Sequence, residues 1–428
     1  MRVVALCLFF LSHSVSADSL TLAQLIDRSL NANPETRAAW QRSRSQVERV
    51  GIAKSSYYPT LDASASISER LGDSALPGSE RQTQVSLSSQ WLLWDFGGRR
   101  ANLDSAQHTL AALQASQDAA SQQVAIRAVQ NWFTQLSAQA SLEAAQASLL
   151  AAEETAKAAR QRQLIGVATR EEELQAETAL AQAKLIVIQR QGELAASAGQ
   201  LAVVAGYDAD TVLALDYQDS ALDRLSQQTN AQPPELKQLL ALAQERRPEL
   251  IAQQLRVKAN HSELDRIAAQ ARPRLSLSAS STNSRDDLNQ NQGGQLALTA
   301  TLPLFTGFQQ RHQQALAQSQ IAEQDVELAR IKQQVSLDVW LAWQQLSTAQ
   351  ARITATDSLL AAASESSRAA LARYQAGIGN LLNVLTAQSN LADARQQHAR
   401  SRFDLAAARL QLAQASGLLV RDTATEFR

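Results

Sequence analysis

The chain has 428 residues, 45% hydrophobic and only 4% aromatic, and its 40 Lys and Arg against 41 Asp and Glu leave a net charge of −1. With both signs of charge interspersed, no electrostatic footprint for nucleic acid exists, and nucleic-acid partners are excluded. The one cysteine, Cys7, lies in an expected leader, which removes disulfides and thiol chemistry from the processed protein.

That leader comprises Arg2, an apolar run from Val3 to Leu11, and small residues at Val15-Ser16-Ala17. The pattern predicts a signal peptide over 1–17, with Asp18 starting the mature chain. Leu6 is too large for lipoprotein processing at Cys7, and the apolar run is too short to span a bilayer. No later stretch approaches the roughly 18 apolar residues of a transmembrane helix.

Residues 20–56 read as two helices broken at Asn33-Pro34, since Pro suits a first helical position and disfavours helix in the residue before it. Tyr58-Pro59 ends the second helix, and the period changes to two. Leu61, Ala63, Ala65 and Ile67 alternate with Thr60, Asp62, Ser64, Ser66 and Ser68, which predicts a strand. After a turn-rich loop from Leu71 to Arg81, a second strand places Val85, Leu87, Ser89, Trp91 and Leu93 on one face. A run without Gly or Pro then extends from Arg99 to Ile165, dense in Ala, Gln, Leu, Arg and Glu. Strong helix formers without breakers predict one helix of about 65 residues, roughly 100 Å long. No globular core covers such a rod, so it must pack lengthwise on other long helices. It breaks at Ile165-Gly166-Val167-Ala168-Thr169, and a return helix of about 35 residues reaches Gly206.

The whole pattern recurs. Arg247-Pro248-Glu249 repeats Asn33-Pro34-Glu35 at an offset of 214, and an offset of 211 pairs Trp94 with Phe305, Trp132 with Trp343, Gly166 with Gly377 and Gly206 with Gly417. After Pro273, Leu275, Leu277 and Ala279 alternate with serines. A polar loop from Arg285 to Gly294 leads to Leu296, Leu298, Ala300, Leu302 and Leu304. The second long run, Phe308 to Ala376, carries Val339, Leu346, Ile353 and Leu360 every seventh residue, a phase continued by Ser367 and Tyr374. That heptad, kept in the first copy by Leu142 and Leu149, predicts coiled-coil packing. The expected division is therefore a signal peptide at 1–17 and a first repeat at 18–206, holding a β-hairpin at 59–95 and a helical hairpin at 98–206. A connecting segment at 207–234 follows, then a second repeat at 235–417 with a β-hairpin at 273–306, a helical hairpin at 308–417, and a tail at 418–428.

Four strands of about a dozen residues, apolar on one face and Ser-, Thr- and Gln-rich on the other, match a transmembrane barrel wall. Tyr57, Tyr58, Trp91, Trp94, Phe96, Phe305 and Phe308 gather where strands meet helices, as a girdle at a membrane–water boundary would. A soluble hairpin core is the bland alternative for them. Open edges cannot exist in lipid and four strands cannot close a barrel, so several copies must share one. Two copies would supply eight strands and a filled interior, three would supply twelve and a lumen.

At Asn33-Pro34-Glu35, Tyr58-Pro59-Thr60-Leu61, Trp94-Asp95-Phe96-Gly97 with Pro303-Leu304-Phe305, and Tyr374 to Ile378 leading to Leu382-Asn383-Val384-Leu385, the chain resembles the TolC-type outer-membrane efflux channel family. The resemblance covers essentially the whole mature chain. It implies an internally duplicated α+β membrane protein: a homotrimer with a shared twelve-stranded barrel in the Gram-negative outer membrane and a long helical coiled-coil barrel in the periplasm. It also implies a periplasmic adaptor (membrane fusion) protein and an inner-membrane pump, proton-driven or ATP-driven, as partners. Family members often carry acidic residues where Asn383 and Thr386 stand here, so that part of an acidic entrance ring is absent. The repeat counterpart of Asn383 is Glu172, within Glu171-Glu172-Glu173, and the expectation is that any acidic ring comes from this first hairpin. An ordinary solvated acidic first turn is the competing reading. Tyr374 matches the family's entrance-latch tyrosine, but an arginine often found five residues later is Gly379, which puts the usual latch in doubt. Gly166, Val167, Ala168, Gly377, Ile378 and Gly379 match tip turns that resemble adaptor-docking sites, besides being helix-hairpin turns.

No catalytic constellation is apparent, and no metal or cofactor is expected. His108, His261, His312 and His398 read as isolated helix positions without a carboxylate at ligand spacing, and Gly97-Gly98 and Gly293-Gly294 fall at expected strand boundaries rather than in a phosphate-cradling loop. Energy must come from a partner. The leading reading is a passive exit duct, and the stretch from Gly166 to Gln182 looks more like small-molecule efflux members. Protein secretion through a type I duct, a trimeric coiled-coil surface adhesin and a soluble periplasmic scaffold are the rivals.

Overall fold

A computed structural model describes residues 20–70, 80–215, 235–286 and 290–418. The expected signal peptide, residues 71–79 of the first expected turn-rich loop, residues 216–234 of the connecting segment and nearly all of the tail lie outside these residues.

Among the described residues, eight helices and four strands follow the order that the repeat demands. The first copy has α1 (Leu22–Ala32), α2 (Pro34–Ser55), β1 (Thr60–Arg70), β2 (Glu80–Trp94), α3 (Gly98–Leu164) and α4 (Arg170–Val204). The second has α5 (Leu236–Arg246), α6 (Pro248–Ala269), β3 (Arg274–Arg285), β4 (Gln290–Thr301), α7 (Gln309–Gln375) and α8 (Leu381–Ala415). Both long helices contain 67 residues and both return helices 35. The Pro breaks work as expected: Asn33 ends α1 in extended geometry and Pro34 opens α2, while Arg247 precedes Pro248 at the start of α6. Thr21 caps α1 in a reciprocal capping box with Gln24.

The chain divides into two compact bodies. One contains the described residues of the start of the chain to Thr36, Ser121–Leu239 and Asp338 onward. Its core gathers Leu22 and Leu25 of α1, Val129, Trp132, Phe133 and Leu136 of α3, Leu201 of α4, and Ala406 of α8. Trp132 is 1% exposed, and removing its side chain would cost about 3 to 5 kcal/mol. Gly206 ends α4 at φ +78, and a Cβ there would lie 2.5 Å from that of Ala32, so only glycine fits. The heptad of α7 is buried at Val339, Leu346, Ser367 and Tyr374 and half-buried at Ile353 and Leu360. Polar pairs tie helices together: Thr356 to Ser401 at 2.9 Å between α7 and α8, the Gln388 amide to Thr155 at 2.9 Å between α8 and α3, and Ser197 to Gln135 between α4 and α3. Such buried hydroxyl and amide pairs fix helix register, because a shifted partner would be left unsatisfied.

The other body, Arg37–Ala120 and Leu240–Leu337, holds the sheet. Its order is β1-β2-β3-β4, antiparallel throughout, so the two hairpins lie side by side with β1 and β4 as open edges. Register aligns the apolar residues of all four strands. Ala63 faces Leu87, Trp91 faces Leu277, and Leu277 faces Leu298. Leu61, Ile67, Val85, Leu296 and Leu298 are 54 to 74% exposed, an apolar sheet face with nothing packed on it in the single chain. That is the alternation of a lipid-facing wall. Nearby, the Gln253 amide reaches the Gln324 carbonyl at 3.1 Å and the Gln46 amide that of Ala106 at 3.2 Å, joining α6 to α7 and α2 to α3.

Four sequence expectations change. A β-bulge between Leu92 and Trp94 shifts the register, so Trp94 rather than Leu93 pairs with Leu275. Gly293 and Gly294 lie inside β4, paired with Thr282 and Ser281, so the strand begins at Gln290, within the stretch expected to be a loop from Arg285 to Gly294. Leu302 and Leu304 fall beyond the end of β4 at Thr301, since Pro303 cannot donate to a ladder. His398 is not isolated: its Nε2 lies 2.9 Å from Asp357 of α7.

Candidate functional site

Two regions carry the residues singled out in the sequence. The first is the junction between sheet and helices, where the bulge of β2 skips Leu93 in the ladder with β3 and nearby carbonyls accept from a side chain. Arg99, in the first turn of α3, supplies the donors. Its guanidinium bonds the carbonyls of Leu92 at 2.6 Å, Leu93 at 3.0 Å and Ser56 at 3.4 Å, while its own N–H donates to the Asp95 carboxylate at 2.6 Å. The group also lies 4.9 Å above the Tyr57 ring, and the Trp91 indole donates to the Tyr57 carbonyl at 3.0 Å. The expected aromatics are all exposed here, from Tyr57 at 38% to Phe305 at 75%, with Tyr58, Trp91, Trp94, Phe96 and Phe308 between. Trp94 and Phe96 meet edge to face at 6.0 Å, and Phe305 and Phe308 do the same at 5.4 Å. Phe96 at φ +52 and Phe308 at φ +64 adopt left-handed backbone beside Gly97 and Gly307. Each such phenylalanine costs about 1 to 2 kcal/mol, tolerated where the turn must aim a ring outward.

The second region is the pair of helical tips. Gly166 at φ +74 and Gly377 at φ +79 reverse the chain after α3 and α7, with Val167 and Ala168 donating back to the Arg162 carbonyl and Ile378 to that of Arg373. Thr169 and Asn380 then cap α4 and α8, accepting from the N–H groups of Glu172 and Asn383. Ala168 and Gly379 are half-buried, whereas Val167 is 61% and Ile378 71% exposed.

Behind the turns the two hairpins meet. Ala156 and Ala159 of α3, Ala176 of α4, Tyr374 of α7, and Leu381 and Val384 of α8 form one apolar cluster. Arg162 joins the hairpins at its edge: its guanidinium donates to the Tyr374 carbonyl at 2.8 Å and lies over the Tyr374 ring at 4.7 Å. That carbonyl also accepts from Gly377, so Arg162 places positive charge on the C-terminal end of α7. Burial pushes the Tyr374 phenol above its ordinary pKa, Arg162 opposing and Glu172 adding to the rise. The Tyr374 hydroxyl, only 1% of the residue being exposed, finds no hydrogen-bond partner among the described residues.

The three acids of α4 separate: Glu171 is exposed, Glu172 half-buried, and Glu173 buried with Arg170 as its ion partner. Asn383 and Thr386 are exposed. Arg162 was not among the residues expected at this site, because its partner lies 212 positions away. The duplication held a signal all the same, since Arg162-Gln163 and Arg373-Tyr374 are counterparts at the 211 offset.

Known proteins carry the same architecture. Residues 25–207 and 239–418 match the outer membrane efflux protein family. Protein CyaE of Bordetella pertussis is 29% identical over 412 residues, spanning 95% of this chain and 86% of that one. The outer membrane protein VceC of Vibrio cholerae superposes with a TM-score of 0.79 at 22% identity, covering 92% of this chain and 96% of the other. The open-state MtrE outer membrane channel of Neisseria gonorrhoeae gives a TM-score of 0.79 at 22% identity, with 92% and 88% covered. A family match over both repeats, in register with the observed duplication, leaves one conclusion: this chain belongs to the outer membrane efflux protein family, the non-enzymatic Gram-negative outer-membrane channels that reach into the periplasm and serve tripartite efflux or secretion systems.

Proposed function

We propose that the chain forms a homotrimeric passive exit duct for small molecules, docked through its helical tips on a periplasmic adaptor protein that is coupled to an inner-membrane pump. The observation that carries this reading is the apolar character of both tips. Leu164 and Ile165 are each 74% exposed at the first turn, and Ile378 and Leu382 are 71% and 63% exposed at the second. Exposed apolar side chains clustered at two duplicated turns favour a protein partner, since burying them gains about 25 cal/mol per Å². Within this reading the junction aromatics sit at the membrane–water boundary and the four strands supply one third of a twelve-stranded barrel.

Glu172 is the acid assigned to the entrance, and Glu172→Gln is expected to lower the cation selectivity of single channels. Unchanged selectivity would remove Glu172 from the lumen.

The decisive experiment is in-cell crosslinking from a cysteine placed at Val167 or Ile378, with identification of the captured proteins. An adaptor with a proton-driven pump supports small-molecule efflux. An adaptor with an ATP-driven transporter replaces it with protein secretion. Intact trimers that capture no adaptor overturn tip docking and restore the adhesin reading.

A further inference from the structure

The contact between the two hairpins of one chain has an unfilled counterpart. The operation that carries the first hairpin onto the second, an offset of 211 residues, turns Arg162 into Arg373 and Gln163 into Tyr374. Applied to the second hairpin, it must land on the first hairpin of another copy, if copies close a ring. Arg162 is half-buried on the Tyr374 carbonyl, whereas Arg373 is exposed and pairs with no described residue. Its surroundings repeat as well. Ala156 and Ala159, against which Leu381 and Val384 pack, correspond to Ser367 and Ala370, and Ser367 is only 9% exposed. Thr155, bonded by Gln388, corresponds to Ser366, and Gln388 corresponds to Glu177, both exposed in the single chain.

We propose that Arg373 closes the seam between chains at the tips, its guanidinium donating to the main-chain carbonyl of Gln163 of the partner subunit. Ser366 correspondingly donates to the carboxylate of Glu177 of the partner subunit. This rests on the trimeric duct reading and adds which residues join its subunits at the periplasmic end. The two kinds of seam then differ in chemistry. Within a chain, Arg162 covers an apolar cluster of Tyr374, Leu381 and Val384. Between chains, the same positions are Gln163, Arg170 and Glu173, so polar and charged groups replace apolar ones.

The test is crosslinking of purified trimers. Chains carrying Arg373→Cys with Gln163→Cys are treated with a short bis-maleimide, and Ser366→Cys with Glu177→Cys, two exposed positions, provides a second pair should the first perturb the turn. Each single substitution controls for reaction across the entrance. The expected result is conversion of most of the chain to covalent dimers and trimers on a denaturing gel. Trimers that yield only uncrosslinked or internally linked chains with both pairs overturn this inference alone. A wild-type chain that forms no trimer overturns the duct reading and this inference with it.

Discussion

Arg99→Ala is expected to loosen the junction between sheet and helices by about 3 to 5 kcal/mol, because it removes a half-buried guanidinium that donates to three carbonyls and faces the Asp95 carboxylate. In the wild type three carbonyls, those of Leu92, Leu93 and Ser56, converge on the guanidinium, whose side chain is 13% exposed. The bulge skips Leu93, between the paired Leu92 and Trp94, and so takes that residue out of the ladder with β3. Without Arg99 these acceptors lose their side-chain donor and the Asp95 carboxylate keeps only the backbone N–H of residue 99, and each unsatisfied group costs about 1 to 3 kcal/mol. Lysine does not restore the site, since one ammonium cannot span three carbonyls that a planar fork reaches at once. Glutamine gives an intermediate result for a reason internal to the chain. The counterpart of Arg99 in the second repeat is Gln310, whose amide donates to the Ile267 carbonyl near the end of α6. On the duct reading, the urea midpoint of the trimer, followed by its mobility on a cold denaturing gel, should therefore fall in the order wild type, Arg99→Gln, Arg99→Ala. An Arg99→Ala trimer as resistant as wild type would show that the bulge carbonyls are satisfied by other means.

The same junction shows where a linear sequence stops being informative. Helices of 67 residues were legible because breakers are absent over the whole run and the composition favours helix at every step. The sheet was legible because one face is apolar in all four strands, and period two survives any uncertainty about the ends. The bulge was not, because strict alternation cannot reveal a single skipped residue, and it assigned Leu93 to the face that Trp94 occupies. Gly293-Gly294 imitated a loop because glycine marks turns far more often than it sits in a ladder, and only pairing with Thr282 and Ser281 identifies it as strand. At the tips, turn geometry was legible from Gly166 and Gly377, whereas the contact between hairpins was not. Contacts such as Arg162 with Tyr374, or His398 with Asp357, join different helices, and nothing in local pattern says which faces meet. The duplication partly compensates, since a contact seen once predicts its counterpart.

Arg162→Ala and Tyr374→Phe should have opposite outcomes, although both alter one contact. The arginine contributes a charge-assisted bond to the Tyr374 carbonyl at 2.8 Å and a cation–π contact at 4.7 Å, together about 2 to 4 kcal/mol at a partly buried site. Losing even the lower value shifts an equilibrium between closed and parted hairpins by about thirtyfold. On the duct reading this appears as raised conductance in planar bilayers and increased entry of bulky antibiotics into cells. The phenol hydroxyl, in contrast, is buried without a partner among the described residues, so deleting it removes an unsatisfied group and leaves the ring beneath the guanidinium. Tyr374→Phe should therefore remain closed and be at least as stable as wild type. Burial raises the Tyr374 phenol pKa, which favours the neutral form, so the closed state gains nothing from its ionisation. A channel latched by the hydroxyl would give the reverse pattern, with Tyr374→Phe leaking and Arg162→Ala tight. The position usually held by a latch arginine is Gly379, whose added Cβ would lie 3.1 Å from the Tyr374 nitrogen. On the duct reading, closure within the chain thus falls to the arginine one full repeat before Arg373, and the tyrosine serves it as a carbonyl and a ring face.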